Sequence, residues 1–282
     1  MAGTRAALQS LVVGAATLAW AWRAGPVAGQ TAPDRSGVPV AFVAFAENGV
    51  ERGDSDGQWD PIREGTRMRT GERLRTGPEG VARIEFPWMK LSLGPSSTLS
   101  IPAGLVLSMV LEQGRVEILS EGDIIKLLAG DVEVRGQGRA VVRRTGETTT
   151  AAAREGSFRV RAAGRTVTIE TRQGTIAAAG GAPSPPESLP DPPRTLDPGS
   201  DPRYAKEGEP VSLSWGPSGG RHHVQILGIN SDVILIERDV GDSPQSFAIP
   251  WLGTFRWRVS TRDEKGLEGL PSAEGLVCVV ER

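Results

Sequence analysis

The sequence predicts an all-β protein, and three observations carry that prediction. Apolar and polar residues alternate with a period of two through much of the chain, as in Val81-Ala82-Arg83-Ile84-Glu85-Phe86. That is the pattern of strands with one face on a core and one in water. The 282 residues include 36 glycines and 21 prolines, an excess that suits short strands joined by turns. Beyond residue 30, helical character is confined to Thr149–Arg154, which is too short to build a helix.

Taken in order, the chain opens with Met1–Arg5 and an apolar stretch from Ala7 to Trp22. This stretch is short for a membrane span, which takes about 20 apolar residues. Gly25-Pro26 and the small residues Val27-Ala28-Gly29 follow. The pattern predicts a secretory signal peptide over 1–29, a mature start near Gln30 and a periplasmic or secreted protein with no stable membrane span after cleavage. An uncleaved anchor is the alternative. With no cysteine near the cut, a lipoprotein is not expected.

Residues 38–180 then supply alternating strands: Val38–Val43, Val81–Phe86, Arg115–Ile118, Ser157–Arg161 and Thr166–Glu170. Within them, Gly65-Thr66-Arg67-Met68-Arg69-Thr70 is followed at once by Gly71-Glu72-Arg73-Leu74-Arg75-Thr76. In strands, Met68 and Leu74 would face the core while the four arginines project outward. Residues 181–210 hold nine prolines and few apolar side chains, and predict an extended linker between two domains. Residues 211–282 return to alternation. Here parity places Leu213, Trp215, Phe255, Trp257 and Val259 inward, with Cys278 on a buried strand beside them and Arg256 and Arg258 on a wet face.

Composition also excludes function classes. A net charge of −2, from 32 Lys+Arg against 34 Asp+Glu, lacks the basic footprint of a nucleic-acid binder. One cysteine excludes a disulfide framework and cysteine-based zinc sites; two histidines exclude most histidine metal sites and triads. His222 and His223 are adjacent, so in a strand they point to opposite faces and cannot chelate one metal. Asp54 and Asp56 lie in an Arg-Gly-Asp-Ser-Asp-Gly string without the twelve-residue loop and terminal Glu of a calcium site; a hairpin tip is the simpler reading. No phosphate loop, nucleophile elbow or His-Glu-x-x-His string occurs. No enzymatic activity, cofactor or metal is expected.

Several motifs resemble the FecR domain. They are Trp59-Asp60-Pro61-Ile62, Gly71-Glu72-Arg73-Leu74-Arg75-Thr76-Gly77, Leu91-Ser92-Leu93-Gly94-Pro95-Ser96-Ser97, Leu111-Glu112-Gln113-Gly114-Arg115-Val116 and Gly156-Ser157-Phe158-Arg159-Val160. The resemblance covers 38–180 and implies a periplasmic, β-rich, solenoid- or roll-like domain that binds an envelope partner without catalysis. The family's best-studied members regulate an alternative sigma factor across the inner membrane. Only Met1–Arg5 precede the apolar stretch here, so an exported module without that cytoplasmic arm is expected. Residues 211–282, with Gly253-Thr254-Phe255-Arg256-Trp257-Arg258-Val259, resemble the fibronectin type III or immunoglobulin-like β-sandwich that often follows such domains.

The one surface constellation is Arg67, Arg69, Arg73 and Arg75, with Trp59 and Trp88 as exposed-ring candidates. Guanidiniums could receive an acidic protein patch or an anionic glycan, and indoles could stack on sugars. The competing reading is a solvated strand face offset by Glu64, Glu72 and Glu85, with both tryptophans packed. The functional expectation is a non-enzymatic, exported cell-envelope binding, scaffolding or signalling-accessory module recognising a protein partner. Peptidoglycan or glycan association is the alternative.

Overall fold

A computed structural model describes residues 39–54, 57–103, 108–216 and 221–282, without the side chains of 122–124. The expected signal peptide lies outside the described residues, as does Asp56. All regular structure among the described residues is β. In chain order the first strands are β1 (Pro39–Glu47), β2 (Val50–Gly53), β3 (Trp59–Pro61), β4 (Arg67–Arg69), β5 (Arg73–Thr76), β6 (Val81–Phe86), β7 (Met89–Leu93) and β8 (Thr98–Ser100). Three long strands follow, β9 (Ser108–Ala129), β10 (Val132–Thr145) and β11 (Thr148–Ala162), then β12 (Arg165–Glu170), β13 (Gln173–Ala178), β14 (Glu187–Ser188), β15 (Thr195–Asp197) and β16 (Arg203–Lys206). The last are β17 (Pro210–Trp215), β18 (Arg221–Gly228), β19 (Ile234–Val240), β20 (Gln245–Ala248), β21 (Gly253–Arg262), β22 (Glu268–Pro271) and β23 (Gly275–Val280).

Strands β1–β14 form one sheet along the path β14-β13-β11-β10-β9-β7-β6-β1-β4, with β2, β3, β5, β8 and β12 branching from it. It folds over one core containing Met68, Leu74, Ile84, Leu91, Leu111, Ile118, Val142 and Phe158. Met68 and Leu74 are buried as the repeat predicts. The two repeats are not stacked rungs, however: β4 pairs with β1, and β5 pairs with β2 and β8. A roll describes this lobe; a solenoid does not.

The second lobe sets the sheet β15-β17-β20 against the sheet β16-β23-β21-β18-β19. Val211, Leu213, Trp215 and Phe247 from the first share a core with Val224, Ile226, Trp257, Val259, Val277 and Val279 from the second. That shared core makes a β-sandwich. Trp257 is fully buried, and its Nε1 donates to Pro198 O at 2.9 Å.

Two expectations are corrected here. Cys278 does not face this core. Val277 and Val279 do, and Leu276, Cys278 and Val280 take the outer face. The register is set by Gly275, where an added Cβ would stand 2.1 Å from Trp257 Nε1 and 2.2 Å from Pro198 O. Only glycine fits under the indole, so residues 277 and 279 follow it inward.

The second correction concerns the proline-rich stretch, which is extended but docked rather than free. β14 pairs with β13, β15 with β17, and β16 runs parallel to β23. Leu189 is buried against Ala152 and Leu267, one residue from each lobe. Short runs between prolines retain enough N–H groups to pair at sheet edges, where missing donors are tolerated. Residues 37–282 accordingly form one compact unit.

Candidate functional site

The sequence-predicted arginines are divided between two strands. Arg67 and Arg69 lie on β4; Arg73 and Arg75 lie on β5 and stack on the Trp59 ring, at 5.3 and 4.2 Å from its centroid. Arg73 is also paired with Glu112, and Arg75 with Glu51. Trp59 is thus brought to the Arg73/Arg75 pair, whose guanidiniums already have carboxylate partners. Trp88 packs against Phe86 beside the first core instead.

The Thr-Gly and Gly-Pro-Ser-Ser motifs form a buried hydrogen-bonded knot. Thr76 Oγ1 donates to Gly94 O at 2.7 Å and accepts from Ser97 N at 2.9 Å. Ser97 Oγ in turn accepts from Arg115 N at 2.9 Å. Two hydroxyls thus tie together the end of β5, the Gly94–Ser97 turn and Arg115 of β9, which satisfies buried backbone groups that no ladder serves. The knot also fixes where Arg115 leaves the sheet.

Arg115 leads to the least expected feature of the protein. Around Arg115, Glu117 and Arg154 the outer, polar face of β9–β11 does not meet water; it meets the outer face of the second lobe's larger sheet, while Arg159 and Arg161 farther along β11 stay exposed. Arg115 is 2% exposed, and its Nε and Nη2 each lie 2.8 Å from the Glu268 carboxylate. Its Nη1 reaches Glu237 Oε1 at 3.2 Å, and its Nη2 reaches Glu117 at 3.3 Å. Arg154 of β11 joins Glu268 at 2.5 Å and Glu117 at 3.2 Å. Arg258 of β21 reaches Glu117 at 3.4 Å and donates to Gln225 Oε1 at 2.7 Å. Arg143 of β10 and Arg262 of β21 both hold Asp239, at 3.0 and 2.8 Å.

The second lobe packs tightly on Gly94, where an added Cβ would lie 2.2 Å from Glu237 Oε1. The Gly-Pro motif therefore provides both a turn and the seat for a carboxylate from the other lobe.

Charge state follows from this geometry. Burial alone would raise the Glu268 carboxyl, but Arg115, His223 and Arg154 outweigh it and hold it well below the ordinary range. Glu117, buried beside Arg154, Arg258 and Arg115, is likewise lowered, as is Glu237 beside Arg115 and His223. For Asp239, the hydrogen bond from His223 and the charges of His223, Arg143 and Arg262 overcome burial. All four acids are held as carboxylates.

A cleft of about 1040 Å³ opens beside this layer. Arg143, Arg144, His223 and Arg238 line it together with Phe247 and Trp251. Arg238 bridges to Glu79 across the cleft, from the second lobe to the first. The two histidines point to opposite faces, as their adjacency requires: His222 packs on Trp215, and His223 joins the ionic layer. Asp54 accepts from Gln58 N at 3.3 Å, within the loop between β2 and β3. Among the described residues no group of three or more His, Cys, Asp or Glu is placed to hold a metal ion.

Sequence reasoning missed this layer, although its signal was present. Arg115-Val116-Glu117, His223-Val224-Gln225 and Arg256-Trp257-Arg258 all alternate. Period two assigns residues to a face; it does not say whether water or another sheet covers that face.

Comparison with known proteins adds little to this geometry. No family model matches the chain, and no curated protein matches it. Among solved structures it is similar to two crystal structures from Parabacteroides distasonis ATCC 8503, at 1.65 and 2.50 Å resolution, each provisionally assigned as an anti-sigma factor. Both show 12% identity, with TM-scores of 0.36 and 0.35, over 41% of this chain. The match spans 59% of that protein's length, and likeness at this level carries no conclusion about activity.

Proposed function

We propose that this chain is a non-enzymatic, exported cell-envelope protein of FecR-like type, acting as a binding, scaffolding or signalling-accessory module for a protein partner. The observation that carries this reading is the interlobe cleft beside the ionic layer. Its rim offers Arg144 and the exposed, Glu79-bridged Arg238 for acidic groups and the half-buried Trp251 for apolar contact, the mixture found at recognition surfaces. The neighbouring carboxylates are pinned by guanidiniums and stay ionised, which suits fixed recognition better than proton transfer. The motif resemblance over 38–180 supports the family, since Pro95, Ser96 and Gly114 of those motifs line the cleft. The apolar stretch Ala7–Trp22 and the small residues after it support export.

The test is capture from solubilised envelope fractions, with and without purified peptidoglycan. A protein retained by the native chain and lost from the Arg144→Glu/Arg238→Glu variant supports the reading. Retention on peptidoglycan alone supports glycan association, for which the partly exposed Trp59 with Arg73 and Arg75 is the favouring feature. A protein captured equally by native chain and variant removes the cleft as its site.

A further inference from the structure

His223 sits where the charges of the two lobes meet. Its ring is 2% exposed, with Nδ1 2.7 Å from Asp239 Oδ1 and Nε2 3.2 Å from Glu237 Oε1. The second contact is off the line of a hydrogen bond. Each of these carboxylates also receives a guanidinium from the first lobe, Arg115 on Glu237 and Arg143 on Asp239. One imidazole therefore stands behind both acids through which β19 grips the first lobe. Other charges facing this group are Arg262 of β21, held on Asp239, and Glu268 of β22, held on Arg115. The ring also lines the cleft, so it has a route to solvent protons if β19 moves.

A neutral imidazole has one N–H and one lone pair. It can serve Asp239 or Glu237, and its other nitrogen then confronts a carboxylate oxygen at close range. An imidazolium turns a donor toward both. We propose that His223 is a proton-operated latch: its imidazolium holds Glu237 and Asp239 in place for Arg115 and Arg143, and loss of the proton frees β19 from the first lobe and widens the cleft.

Burial opposes the charge on His223, but Glu268, Glu237 and the hydrogen bond with Asp239 lift its pKa above the ordinary 6.5, against Arg115. A raised folded value has a definite sign. The latch contributes in full below about pH 6.5 and is lost as pH climbs through the midpoint of His223 itself.

With two histidines in the chain, proton NMR resolves both ring titrations, and His222→Gln identifies His222. His223 is expected to titrate above 6.5. Hydrogen–deuterium exchange of residues 233–240, corrected for intrinsic base catalysis, should accelerate through that same midpoint, by up to about tenfold per pH unit for one linked proton. Glu237→Gln should lower the midpoint. If that variant does not fold, the native titration still decides. A His223 midpoint at or below 6.5, or exchange that stays flat across it, overturns the proposal.

Discussion

Arg115 is one of the largest fully buried side chains in the protein, and a buried guanidinium is tolerable only when its donors are met. Glu268, Glu237 and Glu117 meet them from three strands. Removing one partner leaves an uncompensated buried charge, so Glu268→Ala should cost about 3–5 kcal/mol in urea melts. Arg256→Ala, on β21, is a useful contrast. Arg256 bonds Gly228 O, Ser231 O and Glu274 but stays partly solvated, so its loss should cost about 1 kcal/mol. At this scale the sequence was half legible. Met68, Leu74, Trp215 and Trp257 could be placed inside from parity alone. The same rule assigns Arg258 to water, because a charged residue on a non-core face is ordinarily solvated, whereas the facing sheet buries it.

At the scale of strands, alternation located most edges and interiors, but β23 shows its limit. Leu276-Val277-Cys278-Val279-Val280 is apolar throughout, so parity cannot say which set faces in. Gly275 under the Trp257 indole decides it. Gly275→Ala should destabilise by about 1–3 kcal/mol through overpacking and shift the tryptophan emission. In the native protein Cys278, on the outer face against Thr254, should react with a thiol reagent without unfolding; slow labelling at the global unfolding rate would put it inside. The proline-rich stretch departs from a free linker for a related reason. Proline excludes a strand interior, yet β14, β15 and β16 are edge segments, two to four residues each. Limited proteolysis across 182–209 should therefore be slow until the whole unit opens.

At the scale of the molecule, two β lobes with separate apolar cores are joined face to face by a layer of charge. The layer predicts an acid limb. Glu117, Glu237, Glu268 and Asp239 all have lowered pKa values in the fold. Their contribution is complete above the unfolded values of about 3.9–4.3 and is lost as pH falls through the lower folded ones. Circular-dichroism melts should show stability dropping steeply below about pH 4. Composition could bound the fold class, but not this joint, because its residues are scattered from Arg115 to Glu268 and converge only once both sheets exist.

The central claim is that this joint makes residues 37–282 a single cooperative unit. Scanning calorimetry of the chain near pH 6, where carboxylates and imidazolium are charged, tests it most directly. The account predicts one transition with equal calorimetric and van't Hoff enthalpies, and a markedly lower midpoint for Glu268→Ala. Two separable transitions in the native protein, or a Glu268→Ala variant that melts like the parent, would contradict it.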